Sequence, residues 1–347
     1  MSKRAINKAI TDSEIETANK ENIEKGDNIT FGNFVDRWLN NYVRVDLSVK
    51  SKDDYLYLLN NGILDEFKNH KLFKMKTFHI VEKLKEWKEQ SEHMALAKYV
   101  VLKSIFAKAI EWRVISDNPM NGMKPPKVKK KEKKLRFYDG QQLQNLFEIL
   151  DHVNEKHKIQ IKLAALVGLR MGEIGGIRLE CINFKNNTIL IDRSLHFDTE
   201  KKKLTLGPPK NKIPRTVNVP DSFMKEVKSY VKKQKKLRVE MGSAWKPMVD
   251  DEGNIINFLF TKEDGYPQHP RSAGAAWVRI IEKYDLPKIT FHELRHSYAS
   301  FMLSKGVNFK ILQEQLGHSD ISITMNIYSH LTETDKSKAS DLFNEIL

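Results

Sequence analysis

A lysine-rich segment near the middle of the chain divides it into two parts that must fold separately. This segment, residues 124–136, has the sequence KPPKVKKKEKKLR. Its two prolines interrupt helices and its run of like charges cannot enter an apolar core, so residues 124–137 are predicted to be an extended linker. The chain has 347 residues, which is enough for a domain of ordinary size on each side of that linker.

The part before the linker has helical periodicity. Residues 31–38 place phenylalanine, valine and tryptophan at the i, i+3, i+4 and i+7 positions of one helix face. Ser51 and Thr77 are candidate N-caps of two further helices, and a fourth helix is predicted over residues 94–112. Residues 29–123 are therefore predicted to form a four-helix domain, with its aromatic side chains in an ordinary core.

The part after the linker, residues 138–347, mixes two periodicities. Asp139 is a candidate N-cap, and residues 159–167 are apolar on most sides, which predicts a central helix. Residues 183–193 and 204–219 alternate apolar and polar side chains, as strands do. The fold class predicted for the chain is mainly α, with an all-helical first domain and an α+β second domain that combines helices with a small antiparallel sheet.

The segment from residue 290 to residue 328 concentrates side chains suited to chemistry. Thr290 followed by Glu293 fits a capping box, so a helix is predicted to begin there with the threonine at the N-cap. His292 and Arg295 then lie three residues apart on one face of its first turns.

Two glycines, Gly306 and Gly317, predict where the helices of this segment end. His318 follows the second glycine in a turn, and Tyr328 lies ten residues further on. The arrangement predicted from these positions is a group of cationic and imidazole donors that faces one phenol.

These motifs resemble those of one enzyme family. The pattern H-x-x-R, then L-G-H, then a tyrosine ten residues later is similar to the second signature box of the tyrosine recombinases, the phage-integrase family. The first box of that family is matched by residues 168–173, GLRMGE, which supply Arg170 and a carboxylate, Glu173, three residues on. The family also has a lysine in a β-hairpin between the two boxes, and Lys210 in the segment PPKNK fits that position. The resemblance covers residues 30–347.

The resemblance implies a site-specific DNA recombinase, or integrase, that cleaves and rejoins strands through a 3′-phosphotyrosyl intermediate and so integrates or excises a mobile element or prophage. The catalytic residues that it implies are Arg170, Lys210, His292, Arg295, His318 and Tyr328. Glu173 is implied as a supporting residue that orients the first arginine when DNA is absent. Because the covalent ester stores the bond, neither metal, nor ATP, nor any other cofactor is implied.

The chemistry of phosphoryl transfer accounts for these residue types. The planar guanidinium groups of both arginines can bind two phosphate oxygens and stabilise the charge that grows on them. Tyr328, as the nucleophile, has to lose a proton, for which His292 is the candidate acceptor. His318 is expected to donate to a phosphate oxygen, and Lys210 to protonate the departing 5′-oxygen.

The resemblance also assigns the domains. Residues 29–123 correspond to a helical core-DNA-binding domain, and residues 138–347 to the catalytic domain with a C-terminal tail. Residues 1–28 are predicted to be an N-terminal arm or the remnant of an arm-binding domain. Two positions for the tail stay open, on its own domain or on a neighbouring protomer.

The charge of the chain favours a polyanionic partner independently of the motifs. The formal net charge is +14 and the isoelectric point is about 9.4. The expected partners are double-stranded DNA with core or att sites, further copies of the chain in a tetramer on DNA, and accessory DNA-bending or directionality factors. The linker is predicted to cross the DNA backbone with six lysines, Lys127, Lys129, Lys130, Lys131, Lys133 and Lys134.

Other classes are excluded by what the sequence lacks. The single cysteine, Cys181, rules out an intrachain disulfide and a thiolate zinc cluster. No run reaches the roughly 18 apolar residues of a membrane span, and the N-terminus lacks the apolar core of a secretory signal. We therefore expect no membrane association and a cytoplasmic location in a bacterial host, in association with DNA.

Two alternative functions compete with this hypothesis. Residues 292–296, HELRH, match the H-E-x-x-H helix of zinc proteases, in which His292 and His296 would bind zinc and Glu293 would activate water. That alternative leaves Arg170 and Tyr328 without a role. A type IB topoisomerase is the second alternative, because it would use the same cleavage chemistry on one duplex without exchanging partners.

Overall fold

The computed structural model describes residues 29–129 and 136–317. The chain divides into two compact units, Met1–Lys133 and Lys134–Leu347, and each is described by itself. Within the described ranges, no helix combines the length and the apolar character needed to span a bilayer.

The first unit is built from four helical segments. The segments are α1 (Phe31–Trp38), which continues through Leu39–Val43 and Arg44–Asp46; α2 (Val49–Leu58), which continues through Leu59–Ile63 and Leu64–Phe67; α3 (Thr77–Gln90); and α4 (Glu92–Glu111). The second segment breaks at Asn61 and Gly62, where the backbone leaves the helical region. Trp38 and Trp87 are buried in the core that these helices share, so the predicted packing role of the aromatic residues is confirmed.

The predicted caps of the first unit were partly wrong. Ser48, not Ser51, caps α2, because Ser48 has an extended backbone and its hydroxyl accepts from the backbone N–H of Ser51 at 3.2 Å. Thr77 is the first helical residue of α3, and the N-cap is Lys76, whose backbone N–H donates to Nδ1 of His79. Ser91 caps α4, which therefore begins at Glu92.

The second unit is organised around one buried helix. Its helices are α5 (Gly140–Leu150), α6 (Glu155–Leu166), α7 (Met171–Gly175), α8 (Asp221–Met241), α9 (Arg271–Lys283), α10 (Glu293–Ser304) and α11 (Phe309–Leu316). The central helix is α6, which packs against α5, α8, α9 and α10. Asp139 caps α5, as predicted, and forms a capping box with Gln142.

Two small antiparallel sheets lie between α7 and α8. The strands are β1 (Ile182–Asn183), β2 (Thr188–Ile191), β3 (Ser194–Asp198), β4 (Lys203–Gly207) and β5 (Arg215–Asn218). One sheet has the order β1-β2-β5, with Ile189 opposite Val217, and the other is the hairpin β3-β4. The predicted mainly helical fold with a small antiparallel component is confirmed.

The strand prediction over residues 204–219 missed a change of sheet. β4 ends at Gly207 because Pro208 and Pro209 have no N–H to donate to a partner strand, and β5 then joins the other sheet. Lys210 therefore lies on the connection between two sheets, whereas a place in a hairpin was expected for it. The turn is closed by a bond of 2.8 Å from the backbone N–H of Lys212 to the carbonyl of Pro209.

Candidate active site

The first arginine of the site is set at a sharp break in the chain. α6 ends at Leu166, and Gly168 follows with a φ of +72°. A Cβ at Gly168 would lie 2.6 Å from the side chains of Leu316 and Tyr298, so only glycine lets these elements approach. The chain then turns into α7, with Arg170 at its N-cap.

Arg170 is held by one carboxylate and by two backbone carbonyls. Its Nη1 donates to Oε1 of Glu173 at 2.7 Å, and its backbone N–H donates to Oε2 of the same residue at 3.0 Å. Nη1 and Nη2 also donate to the carbonyls of Leu316 and Gly317, at 3.4 and 3.1 Å. About a fifth of the side chain stays accessible (21%), so the guanidinium is oriented and still within reach of a ligand. The predicted pairing of Arg170 with Glu173 is confirmed.

The second arginine, Arg295, is almost completely buried on α10. Its residue exposure is 1%, and Nη1 and Nη2 donate to the carbonyls of Gly168 and Leu316, each at 2.6 Å. Its Nε has no hydrogen-bond partner among the described residues. Burial and the neighbouring charge of Arg170 lower the pKa of Arg295 to about 9, which leaves the guanidinium charged at neutral pH.

A third arginine, which sequence reasoning missed, completes the group. Arg215 begins β5, and its Nη1 and Nη2 donate to Oε1 and Oε2 of Glu173 at 3.1 and 2.7 Å. Its Nε donates to the carbonyl of Gln315 at 2.7 Å. We call Arg170, Arg215, Arg295 and Glu173 the arginine cluster. The only sequence signal for Arg215 is a charged residue at the start of an alternating strand.

Glu173 is the single anion of this cluster. It is 1% exposed, and its carboxylate receives donors from both Arg170 and Arg215. Burial by itself would raise the pKa of Glu173, but the hydrogen bonds and charge of Arg215, followed by those of Arg170, lower it to about 2. The carboxylate is therefore ionised at any pH at which the protein would be assayed.

His292 lies immediately before α10, beside the arginines. The two hydrogen bonds of the predicted capping box are present, since the backbone N–H of Thr290 donates to Oε2 of Glu293 at 2.5 Å and that of Glu293 to Oγ1 of Thr290 at 3.3 Å. The prediction of Thr290 as the N-cap was wrong, because residues 291–292 form a turn and His292 is the N-cap. The regular helix begins at Glu293, one residue after His292. Partial desolvation, with the charges of His296, Arg295 and other cations, lowers the pKa of His292 to about 4, so its ring is neutral at pH 7.

The geometry disfavours the zinc-protease alternative. The rings of His292 and His296 have their centroids 5.1 Å apart, but Glu293 is committed to the helix cap. Arg295 and Arg170 add positive charge next to this pair, and a cation there would be repelled. Across the described ranges, no three side chains of His, Cys, Asp or Glu are grouped so that they could hold a metal ion.

Lys210 is exposed at the edge of the same site. Its turn is anchored by the buried Pro209, and Nδ2 of Asn211 donates to the carbonyl of Gly317 at 3.5 Å. The ammonium group is close enough to His292 to contribute to the lowered pKa of that ring. The structure thus brings together Arg170, Lys210, His292 and Arg295, which come from separate parts of the chain.

Several predicted residues lie outside the described residues. These are His318, Tyr328 and the linker lysines Lys130, Lys131, Lys133 and Lys134. The other two linker lysines, Lys127 and Lys129, are exposed, and the backbone N–H of Lys129 donates to Oε2 of Glu92 at 2.7 Å.

The geometry so described is suited to an anionic ligand. Two guanidinium groups are oriented by backbone carbonyls, of which that of Leu316 is common to both, and a neutral imidazole lies beside them. An exposed ammonium group is near enough to lower the pKa of that imidazole. Such a set can bind a phosphate group and stabilise charge that develops on it.

Comparison with protein families decides what kind of protein carries this site. Residues 136–335 match the model described as the phage integrase family, and residues 30–88 match the model described as the phage integrase, N-terminal SAM-like domain. The first match alone covers more than half of the chain.

The chain belongs to the phage integrase family. It is a tyrosine-type recombinase, an enzyme of DNA recombination, as the signature motifs predicted.

The relatives of this recombinase include a XerC-like recombinase, a phage integrase and a transposase. It is 26% identical over 336 residues to a "Tyrosine recombinase XerC-like" from Caldanaerobacter subterraneus subsp. tengcongensis, a match that covers 92% of this chain and 83% of the relative. It is 23% identical to the "Integrase" of Staphylococcus phage L54a, over 88% of this chain and 90% of the relative. The match to the "Transposase from transposon Tn916" of Enterococcus faecalis is 28% identical and covers 54% of this chain but only 45% of that protein.

Solved structures share the fold of the recombinase. The Tn1549 transposon integrase in complex with transposon right end DNA has a TM-score of 0.69 and 21% identity, over 90% of this chain and 98% of that one. A lambda integrase dimer bound to a COC′ core site has a TM-score of 0.59 and 15% identity, over 89% of this chain and 79% of that one. Both of these proteins were solved with DNA.

Proposed function

We propose that this recombinase cleaves and rejoins DNA strands through a covalent bond between Tyr328 and a DNA 3′-phosphate, and that it thereby integrates or excises a mobile element or prophage. The observation that carries the proposal is the pair of guanidinium groups, Arg170 and Arg295, that share the carbonyl of Leu316 beside a neutral His292. A preorganised double cation next to a proton acceptor is what attack on a phosphodiester requires.

In the first step, the phenolic oxygen of Tyr328 attacks phosphorus and the bond from phosphorus to the 5′-oxygen breaks. A tyrosine of ordinary pKa, about 10, is only about a thousandth ionised at pH 7, so it needs a proton acceptor. His292 takes that role. Because its ring is neutral at pH 7, one ring nitrogen is unprotonated and can accept the proton. The negative charge of the bound phosphate raises the pKa of His292 and makes it a better acceptor.

The remaining groups act on the phosphate and on the leaving oxygen. Arg170 and Arg295 stabilise charge on the two non-bridging oxygens, and His318 donates a further hydrogen bond to one of them. Lys210 gives a proton to the departing 5′-oxygen, for which its exposed position on a turn is suited. Rejoining is the reverse step, in which a 5′-hydroxyl attacks the phosphotyrosyl ester and Tyr328 leaves.

The partners proposed for this reaction are DNA and further copies of the chain. We expect four protomers on two core or att sites, with accessory DNA-bending or directionality factors, in the cytoplasm of a bacterial host. Residues 29–123 would hold the core site, residues 124–137 would contact phosphates, and residues 138–347 would carry out the chemistry. The DNA complexes of the Tn1549 and lambda integrases support this assignment.

A covalent capture experiment tests the proposed function. The protein is incubated in EDTA and without ATP with a pool of duplexes that have a randomised core and a nick, and complexes that resist SDS are recovered. Wild-type protein is expected to yield SDS-resistant complexes that enrich one site, and Tyr328→Phe to yield none. Activity that requires a divalent metal would contradict the proposal, and a captured site that never forms a synaptic complex on a native gel would favour the type IB topoisomerase.

A further inference from the structure

Arg215 lies on β5 in a largely buried position, from which its side chain contacts α7 and α11. Its side chain is 9% exposed at the start of β5. Its guanidinium binds both oxygens of Glu173 on α7, and its Nε binds the carbonyl of Gln315 on α11. One side chain thus connects a strand to α7, which Arg170 precedes, and to α11, whose last carbonyl accepts hydrogen bonds from Arg170 and Arg295.

Each carboxylate oxygen of Glu173, between the two arginines, accepts two hydrogen bonds. Oε1 of Glu173 accepts from Nη1 of Arg170 at 2.7 Å and from Nη1 of Arg215 at 3.1 Å. Oε2 accepts from Nη2 of Arg215 at 2.7 Å and from the backbone N–H of Arg170 at 3.0 Å. Two guanidinium charges and one carboxylate leave a net charge of +1. Without Arg215, Glu173 and Arg170 would neutralise each other.

Arg215 also packs directly under the end of α11. Gly317 closes that helix in the left-handed region, with a φ of +63°. A Cβ there would lie 3.0 Å from Nη1 and 3.1 Å from Cζ of Arg215. The end of α11, whose carbonyls orient Arg170 and Arg295, therefore packs against the guanidinium of Arg215.

We propose that Arg215 is a positioning residue for strand cleavage. Its charge offsets that of Glu173, so that Arg170 keeps its own charge for the scissile phosphate, and its fork fixes the helix end that orients both catalytic guanidinium groups. The inference rests on the proposed function, because it assigns Arg215 a part in the same cleavage step.

Single-turnover cleavage at saturating DNA tests this role. Arg215→Met, which keeps the length of the stem, is expected to cleave about 100-fold more slowly, with a Kd for DNA within about twofold of wild type, because the arginines are still present but misoriented and partly neutralised. Adding Glu173→Gln to Arg215→Met is expected to recover about tenfold of the lost rate, because it removes the charge that Arg215 no longer offsets.

Arg178→Met is the matched control. Arg178 is 19% exposed and pairs with Asp192 at 2.5 Å in the same unit, so its loss also breaks a partly buried ion pair. After correction for the folded fraction, this variant is expected to cleave at the wild-type rate. Arg215→Lys keeps the charge but not the fork, and is expected to cleave about tenfold more slowly than wild type.

Each outcome bears on one proposal. A wild-type cleavage rate in Arg215→Met, or in Arg215→Lys should the methionine variant not fold, would overturn the inference. A double variant slower than Arg215→Met would also overturn it, since a merely structural residue has no reason to be rescued by loss of Glu173. If the wild-type protein itself forms no covalent complex with DNA, the proposed function fails instead.

Discussion

The arginine cluster and the turn of Lys210 carry charge of the same sign at one site, yet they are held in opposite ways. Arg295 is 1% exposed and Arg170 is bonded to Glu173 and to two carbonyls, whereas Lys210 is exposed on a turn between two sheets. Groups that stabilise charge on a phosphate act best when they need no reorganisation. A general acid has to follow an oxygen that moves away, and an exposed turn gives it that freedom.

The largest loss of cleavage rate is expected from changes to the two arginines that the structure holds in place. Arg170→Ala and Arg295→Lys are each expected to lower the single-turnover cleavage rate by about 1,000-fold or more, because they remove oriented donors from the transition state. DNA affinity, measured by fluorescence anisotropy, is expected to stay within a few-fold of wild type. Equal losses of affinity and rate would show that these arginines only bind DNA and would break the comparison.

Lys210→Ala, at the exposed turn, is expected to slow cleavage by about 100-fold. A substrate with a 5′-thio leaving group, which needs little protonation, is expected to restore the rate, because only the acid is missing. Lys212→Ala, two residues away in the same turn, is the control and is expected to cleave at the wild-type rate. Without rescue by the thio substrate, Lys210 would not be the acid.

A smaller effect, on the free energy of unfolding, is expected from substituting two glycines with different surroundings. Gly306 has a φ of +77° with nothing within 4 Å of an added Cβ, whereas Gly168 has a φ of +72° and neighbours at 2.6 Å. Gly306→Ala is expected to lower the free energy of unfolding by about 1–2 kcal/mol through backbone strain. Gly168→Ala is expected to cost about 1–3 kcal/mol more, because the added methyl group overpacks the contact with Leu316 and Tyr298. Equal costs in denaturant unfolding would contradict the close approach.

The smallest effect is a shift in one titration. The imidazole of His292 in the DNA-free protein is expected to titrate near pH 4, against about 6.5 for an ordinary histidine. Because the pKa is lower in the folded state, His292 stabilises the fold above pH 6.5, and that contribution is lost as the pH falls towards 4. NMR of the ring carbons, assigned with His292→Gln, measures this pKa, and a midpoint near 6.5 would show that neither burial nor the neighbouring charges act on the ring.

Local patterns in the sequence predicted the parts of this site whose partners are close in the chain. The capping box of Thr290 and Glu293 and the pairing of Arg170 with Glu173 each span three residues, so spacing alone indicated them. Arg215 was missed because its partners lie 42 and 100 residues away, and no periodicity reports such a contact.

The place of Lys210 shows a second limit of sequence reasoning. The alternation over residues 204–219 is real, but it does not tell which neighbour each strand pairs with. Two prolines end β4, and the partner of β5 is β2, which belongs to another sheet. The position of Lys210 on a connection between sheets therefore follows from pairing, which is a long-range property.

Peptide mapping of the covalent complex tests whether the phenol of Tyr328 attacks a phosphate that Arg170 and Arg295 bind. The SDS-resistant complex is digested with protease and nuclease, and mass spectrometry locates the modified residue and the end of the DNA to which it is joined. We expect a nucleotide linked through its 3′-phosphate to Tyr328. A nucleotide on another residue, or a link through a 5′-phosphate, would contradict it.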